Sequence, residues 1–263
     1  MQPLGDLVAA IEQTTGIDVA VLDTGPDEHG SAMRDPVRGA IFIGVARTRH
    51  PMRQRSTLAH ELAHVLFDDW SDTDACNWSD RSPSEIRADA FARHLLLPTD
   101  GLREFLGAST LVTEPILSTV VQRFLVSPPV AAIALYQADY IDDDTKRAWM
   151  ALTTPKLAAR FGWSDQYRSL STDSDRRRAP QRLLARAIRG YSEGVLSARA
   201  IATLRGTTVE IAEADLREAG VVPVEQAVAW TGAADLPDVQ VDLVALNKEL
   251  DAPDDPESKR DAG

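Results

Sequence analysis

The chain of 263 residues has a single cysteine, Cys76, so no intrachain disulfide can staple it, which fits a reducing compartment. No apolar run approaches the roughly 18 residues of a membrane span. The first residues, MQPLGDLVAAIEQ, lack a basic start and break their apolar stretch with Asp6 and Glu12, so they do not read as a secretory signal. The expectation is a cytoplasmic globular protein that does not engage a membrane. Bases are also scarce: 28 Lys and Arg stand against 40 Asp and Glu, a net charge of -12, which argues against direct nucleic-acid binding by the surface as a whole. Half of that charge is local, because positions 235–263 hold nine acids and three bases. With its Pro, Asp and Ser content, this end is expected to be a disordered acidic tail.

Apolar positions at 4, 7, 8 and 11 have the spacing of an amphipathic helix, and IDVAVLD (17–23) then reads as a strand. GPDEHGSAMRDP (25–36) reads as a loop, and AIFIGV (40–45) as a second strand. Ser56 or Thr57 is placed to cap a helix running to about Phe67, and a further helix over 84–97 ends at Pro98. Beyond it the pattern is helical throughout: two helices broken at Ser127-Pro128-Pro129, and three more in 179–221 punctuated by Gly190, Gly206 and Gly220. Asp173 to Arg178 is the expected linker. The organisation expected is a core over 1–108, a helical extension over 109–155, an all-α domain over 156–234 and the tail over 235–263.

Chemistry concentrates in TLAHELAHVLFDDW (57–70). Residues four apart on a helix project about 40° apart, so His60 and His64 can present their imidazoles to one ion. Glu61, about 100° further round, can reach a water beside that ion without being a ligand. The plain alternative is two histidines facing solvent. A catalytic zinc needs a third protein ligand and an open fourth position. Glu85, separated from His64 by twenty residues and near the start of the next helix, is the candidate. Asp89, one turn further on, can accept the outer N–H of a ligand histidine and set its tautomer.

RQRSTLAHELAH (53–64), the pattern ExxADxFAxxLLLP (85–98) and FLVSPPVAAIAL (124–135) together resemble the ImmA/IrrE family of zinc metallopeptidases, over roughly residues 30–136. The resemblance implies an α+β fold: a zincin-like core with a small antiparallel or mixed sheet, followed by an all-α C-terminal region. It implies His60, His64 and Glu85 as ligands of one Zn2+ per chain, with Mn2+ as an alternative, and Glu61 as general base. It also implies a substrate class, repressors of the helix-turn-helix type, whose cleavage releases stress-response or mobile-element genes. No repressor domain precedes the peptidase region, so that substrate is expected to be a separate protein. In zincins a strand before the active-site helix borders the cleft, which makes Ile41, Phe42 and Ile43 the expected peptide-docking residues. An alternative of another class is a non-proteolytic regulator that sequesters a repressor, its zinc being structural or sensing; such a site has no use for Glu61.

Weaker signals point elsewhere. GYSEG (190–194) matches a nucleophile elbow, but a helical stretch precedes it and no histidine follows His94. Gly190 reads better as a helix stop. Arg178, Arg182, Arg186 and Arg189 align on one helix face, where pairing with nearby carboxylates is the commoner role and phosphate contact the rarer one. His94 lies on the far side of its helix from Glu85, while His29, His50, Tyr136 and Tyr140 are further candidates for the cleft. The acidic segment 68–80, with five aspartates, no base and Cys76, joins His64 to Glu85 and could gate the site.

Overall fold

The two strand segments noted above join a third in a three-stranded sheet in the computed structural model, which describes residues 4–24, 30–70, 82–107, 111–224 and 242–244. Helix α1 (Leu7–Thr15) starts at Asp6, whose carboxylate accepts the Ala9 N–H, and ends at Gly16 in the left-handed region. It leads into β1 (Asp18–Leu22), β2 (Gly30–Arg34) and β3 (Ile41–Ala46). The order is β1-β3-β2, with β3 parallel to β1 and antiparallel to β2. β2 lies inside the segment expected to be a loop. Its pattern is exposed on both faces, so it offers no hydrophobic alternation to read, and the backbone ladder to β3 is what makes it a strand.

Helix α2 (Pro51–Leu66) carries the histidines. It begins at Pro51, not at Ser56 or Thr57: proline at the first helical position has its φ preset and no N–H to satisfy. Its buried face, Met52, Leu58, Ala59, Leu62 and Ala63, packs under the sheet, where Val19, Val21, Ile43 and Val45 meet Leu7, Val8 and Ile11 of α1. Arg55 on the same helix donates to the carbonyls of Leu4 (2.5 Å), Gly5 (2.6 Å) and Leu125 (3.2 Å). Burial pulls its pKa down to about 10.

Next come α3 (Pro83–Leu96), α4 (Thr99–Leu106), α5 (Glu114–Phe124), α6 (Pro128–Gln137), α7 (Asp143–Met150), α8 (Thr154–Arg160) and α9 (Ser164–Ser174). Leu102, Leu117, Val120, Val121, Leu135, Leu157 and Trp163 from these helices join the same hydrophobic core as the sheet. Trp163 is buried and donates its indole N–H to Ser118 at 2.9 Å. No single helix among the described residues is long and apolar enough to cross a membrane. The most apolar pair, α5 and α6, turns by 109° between its members and sends its leucines and valines into the core.

Helices α10 (Gln181–Ser192), α11 (Ala198–Arg205) and α12 (Val209–Glu218) close a second, smaller core around Ile201, Ala202, Ala212 and Leu216. Gly190 does not stop α10, which continues two residues past it; a Cβ there would come within 3.0 Å of Leu196, so the glycine serves a close approach. Residues 173–178 are not a free linker either. Arg178 exchanges main-chain hydrogen bonds with Val21 (2.8 and 3.0 Å), completing the outer edge of β1. Buried Glu12 ties the start of α10 to the sheet by accepting from Val19 (3.3 Å) and Gln181 (2.9 Å). Two of the four aligned arginines are spent on carboxylates, Arg178 on Asp6 and Arg182 on Asp18. Residues up to 224 form one unit; of the second, from 225 on, only 242–244 are described.

Replacing Ser118 by alanine leaves the buried Trp163 N–H without an acceptor. The expected cost is about 1–3 kcal/mol of stability, read as a lower urea midpoint at unchanged slope.

Candidate metal centre and cleft

α2 and α3 pack side by side, and their contact brings His60 and His64 against Glu85. The position of Glu85 follows from the local start of α3. Ser82 caps the helix by accepting the Glu85 N–H at 3.3 Å, and Pro83 fills the first helical position, which puts Glu85 in the first turn, where a carboxylate suits the helix dipole. Its side chain turns toward the histidines. The two imidazole Nε2 atoms stand 3.0 Å apart, with Glu85 Oε2 3.1 Å from His60 Nε2 and Oε1 3.3 Å from His64 Nε2.

These separations test whether the residues suit a metal. Metal–nitrogen bonds of about 2.0–2.1 Å at tetrahedral angles place neighbouring ligand atoms roughly 3.3–3.4 Å apart. The observed triangle comes within a few tenths of an ångström of that. His60 Nδ1 lies 3.0 Å from Asp89 Oδ1, a bond that requires the proton on Nδ1 and leaves the Nε2 lone pair facing Glu85 and His64. Burial, followed by the neighbouring His60, lowers the pKa of His64 and favours its neutral, ligating form. Two imidazoles and a carboxylate are the donor set of a zinc-type ion and not of calcium. The residues fit the ion. The Glu85 side chain is 46% exposed, so the triangle opens toward a cleft.

That cleft has a volume of about 720 Å3. Thr57, His60 and Glu61 form its floor, Gly30 of β2 one border, Glu85, Asp89 and Arg93 of α3 another, and Val130, Ile133 and Met150 of α6 and α7 an apolar wall. Glu61 faces β2. Its carboxyl accepts the Ala32 N–H, while burial, the largest influence, pushes its pKa up against the attraction of His60. Ala32 points off the outer edge of β2: the Asp35 N–H donates to the Ala40 carbonyl, so residues 33 and 31 pair with β3 and 30, 32 and 34 face away. A Cβ on Gly30 would fall 2.6 Å from Thr57 and 3.0 Å from Glu61, so only glycine lets β2 lie this close to α2.

Assigning peptide docking to Ile41, Phe42 and Ile43 needs correction. β3 is the central strand, its main-chain groups are spent on β1 and β2, and Ile43 is fully buried. The edge bordering the cleft belongs to β2. His50 lines a different cavity, with Tyr167, and His94 is exposed outside the cleft. Tyr136 stacks under Lys146 and Tyr140 donates to the Gly107 carbonyl at 3.5 Å; neither lines the cleft. His29, Cys76 and residues 71–80 of the acidic segment lie outside the described residues.

Sequence reasoning missed one supporting residue. Asp69, counted there only among the acids of a connector, has a carboxylate oxygen 3.9 Å from His64 Nδ1, a buried nitrogen with no hydrogen-bond partner. Arg87 of α3 clamps Asp69 at 2.5 and 2.7 Å and lies over the Phe67 ring at 4.7 Å. His64 thus has a carboxylate behind it, as His60 has Asp89, though at a longer reach. The only signal in sequence was an aspartate five residues after the second histidine.

Two histidines and a glutamate that converge on a cleft suit the metal centre of a peptidase. Residues 12–136 match the family described as IrrE N-terminal-like domain, Peptidase M78. Among curated proteins none matches the chain.

Asp89→Ala is expected to weaken metal affinity about 10- to 100-fold, and Asp69→Ala to weaken it less, because its carboxylate stands farther from the histidine. Competition with a chromophoric chelator measures both, and equal affinity in all three proteins would remove the supporting roles.

Proposed function

We propose that the protein is a zinc-dependent endopeptidase of the HExxH type with glutamate as third ligand. Its substrate in this reading is a separately encoded helix-turn-helix repressor, whose cleavage derepresses stress-response or mobile-element genes. The observation that carries the catalytic part is Glu61: a carboxyl with a raised pKa, beside the ligand triangle and facing the cleft, suits the collection of a proton from water. The alternative, sequestration of a repressor around a structural zinc, gives Glu61 nothing to do.

Zinc at His60, His64 and Glu85 would supply Lewis acidity, making a water nucleophilic near neutral pH and polarising the scissile carbonyl. Glu61 takes the proton of the attacking water and delivers it to the leaving amine nitrogen. Asp89 keeps the His60 proton on Nδ1. A substrate strand adds to the outer edge of β2 by main-chain hydrogen bonds, which reads extended shape more than side chains.

Co-expression with the transcription factor encoded beside the gene, wild type against Glu61→Gln, tests the reading. Wild type is expected to cut the factor. Glu61→Gln is expected to keep full metal content and lose about 10²- to 10⁴-fold in rate, since a base is lost and no ligand is. Cleavage by Glu61→Gln at the wild-type rate would remove the mechanism, and an intact factor bound to both proteins would favour sequestration.

A further inference from the structure

Arg93 lines the same cleft as His60, Glu61 and Glu85. Its Nε is buried without a hydrogen-bond partner, and among the described residues its guanidinium forms no ion pair. The neighbours that could neutralise it are engaged elsewhere. Asp89, one turn earlier on α3, accepts from His60, and Asp69 is held by Arg87. Opposite stands the apolar wall of Val130, Ile133 and Met150. A buried guanidinium nitrogen with no partner is costly, and a ligand that restores a charge-assisted pair recovers that cost.

Arg93 follows Glu85 by eight residues, about 12 Å along the helix, and side chains lean toward the N-terminal end, here toward Glu85. The distance left is spanned by about two or three residues of extended peptide at roughly 3.3 Å each.

Resting on the peptidase reading above, we propose that Arg93 makes the cleft selective for peptides with a carboxylate within about three residues of the scissile bond, the neighbouring side chain packing on the apolar wall. The carboxylate is that of an aspartate or glutamate side chain, or of a peptide C-terminus.

The test offers zinc-loaded, full-length protein two randomised peptide libraries, one with free and one with amidated C-termini, and reads the cut sites by mass spectrometry. The expected result is enrichment of Asp and Glu at one fixed position beside the cut, and a drop of about tenfold or more in kcat/KM when that residue is changed to Gln or Asn in a single peptide. If the C-terminal carboxylate is the group read, cleavage clusters near free ends and falls by the same factor on amidation. Arg93→Gln flattens the preference and Arg93→Glu turns it toward Lys and Arg, both with unchanged zinc content. The wild-type comparison of Glu with Gln peptides stands even where a variant fails to fold. Cutting that ignores carboxylates in both libraries overturns this inference and leaves the peptidase reading intact; no cutting of any peptide overturns both.

Discussion

The Nε2 atoms of His60 and His64, held 3.0 Å apart on one helix face, need a proton or a metal cation between them. Nearly everything around α2 serves to keep that arrangement. The helix is anchored on one side by Leu58, Ala59 and Leu62 in the core, and on the other Glu85 brings the third ligand atom from α3. Asp89 and the Arg87-clamped Asp69 stand behind the two histidines, and Asp89 holds the His60 proton on Nδ1. A metal bound there draws on organisation already bought by the hydrophobic core.

The cost of the arrangement lies in polar groups at the edge of that core. Glu61 is buried enough to resist ionisation, and one hydrogen bond from Ala32, with the attraction of His60, only partly offsets this. The same bond couples β2 to α2, so a strand exposed on both faces is nevertheless held in register with the candidate site. Gly30 makes the coupling possible by leaving room for Thr57 and Glu61. Arg34 extends it, lying 3.7 Å from Asp68 just past the end of α2.

The helices after α4 are not an appendage to the sheet. α5, α6 and α8 complete its hydrophobic core, and α6 and α7 supply the apolar wall of the cleft. The proposed substrate selection therefore rests partly on residues that also stabilise the fold, with Arg93 as the charged exception. The α10–α12 unit keeps its own small core and reaches β1 through Glu12, Arg178 and Arg182.

The HExxH spacing and the apolar alternation of β1 and β3 were legible by themselves, because helix periodicity and strand pleat are local properties of a few neighbouring residues. They determined which side chains could share a face. They could not determine which strand edge stays open. β2 has no apolar pattern, β3 has a strong one, and only the pairing of both β1 and β2 with β3 shows that the strand easiest to read is the one with no main-chain groups to spare. Asp69 and Arg93 were likewise invisible as more than surface charge, since the partner one has and the partner the other lacks are both set by the packing of α3 on α2, a contact between segments separated by a long connector. Local sequence chose the ligands; the tertiary packing decided their distances, their supports and the shape of the cleft before them.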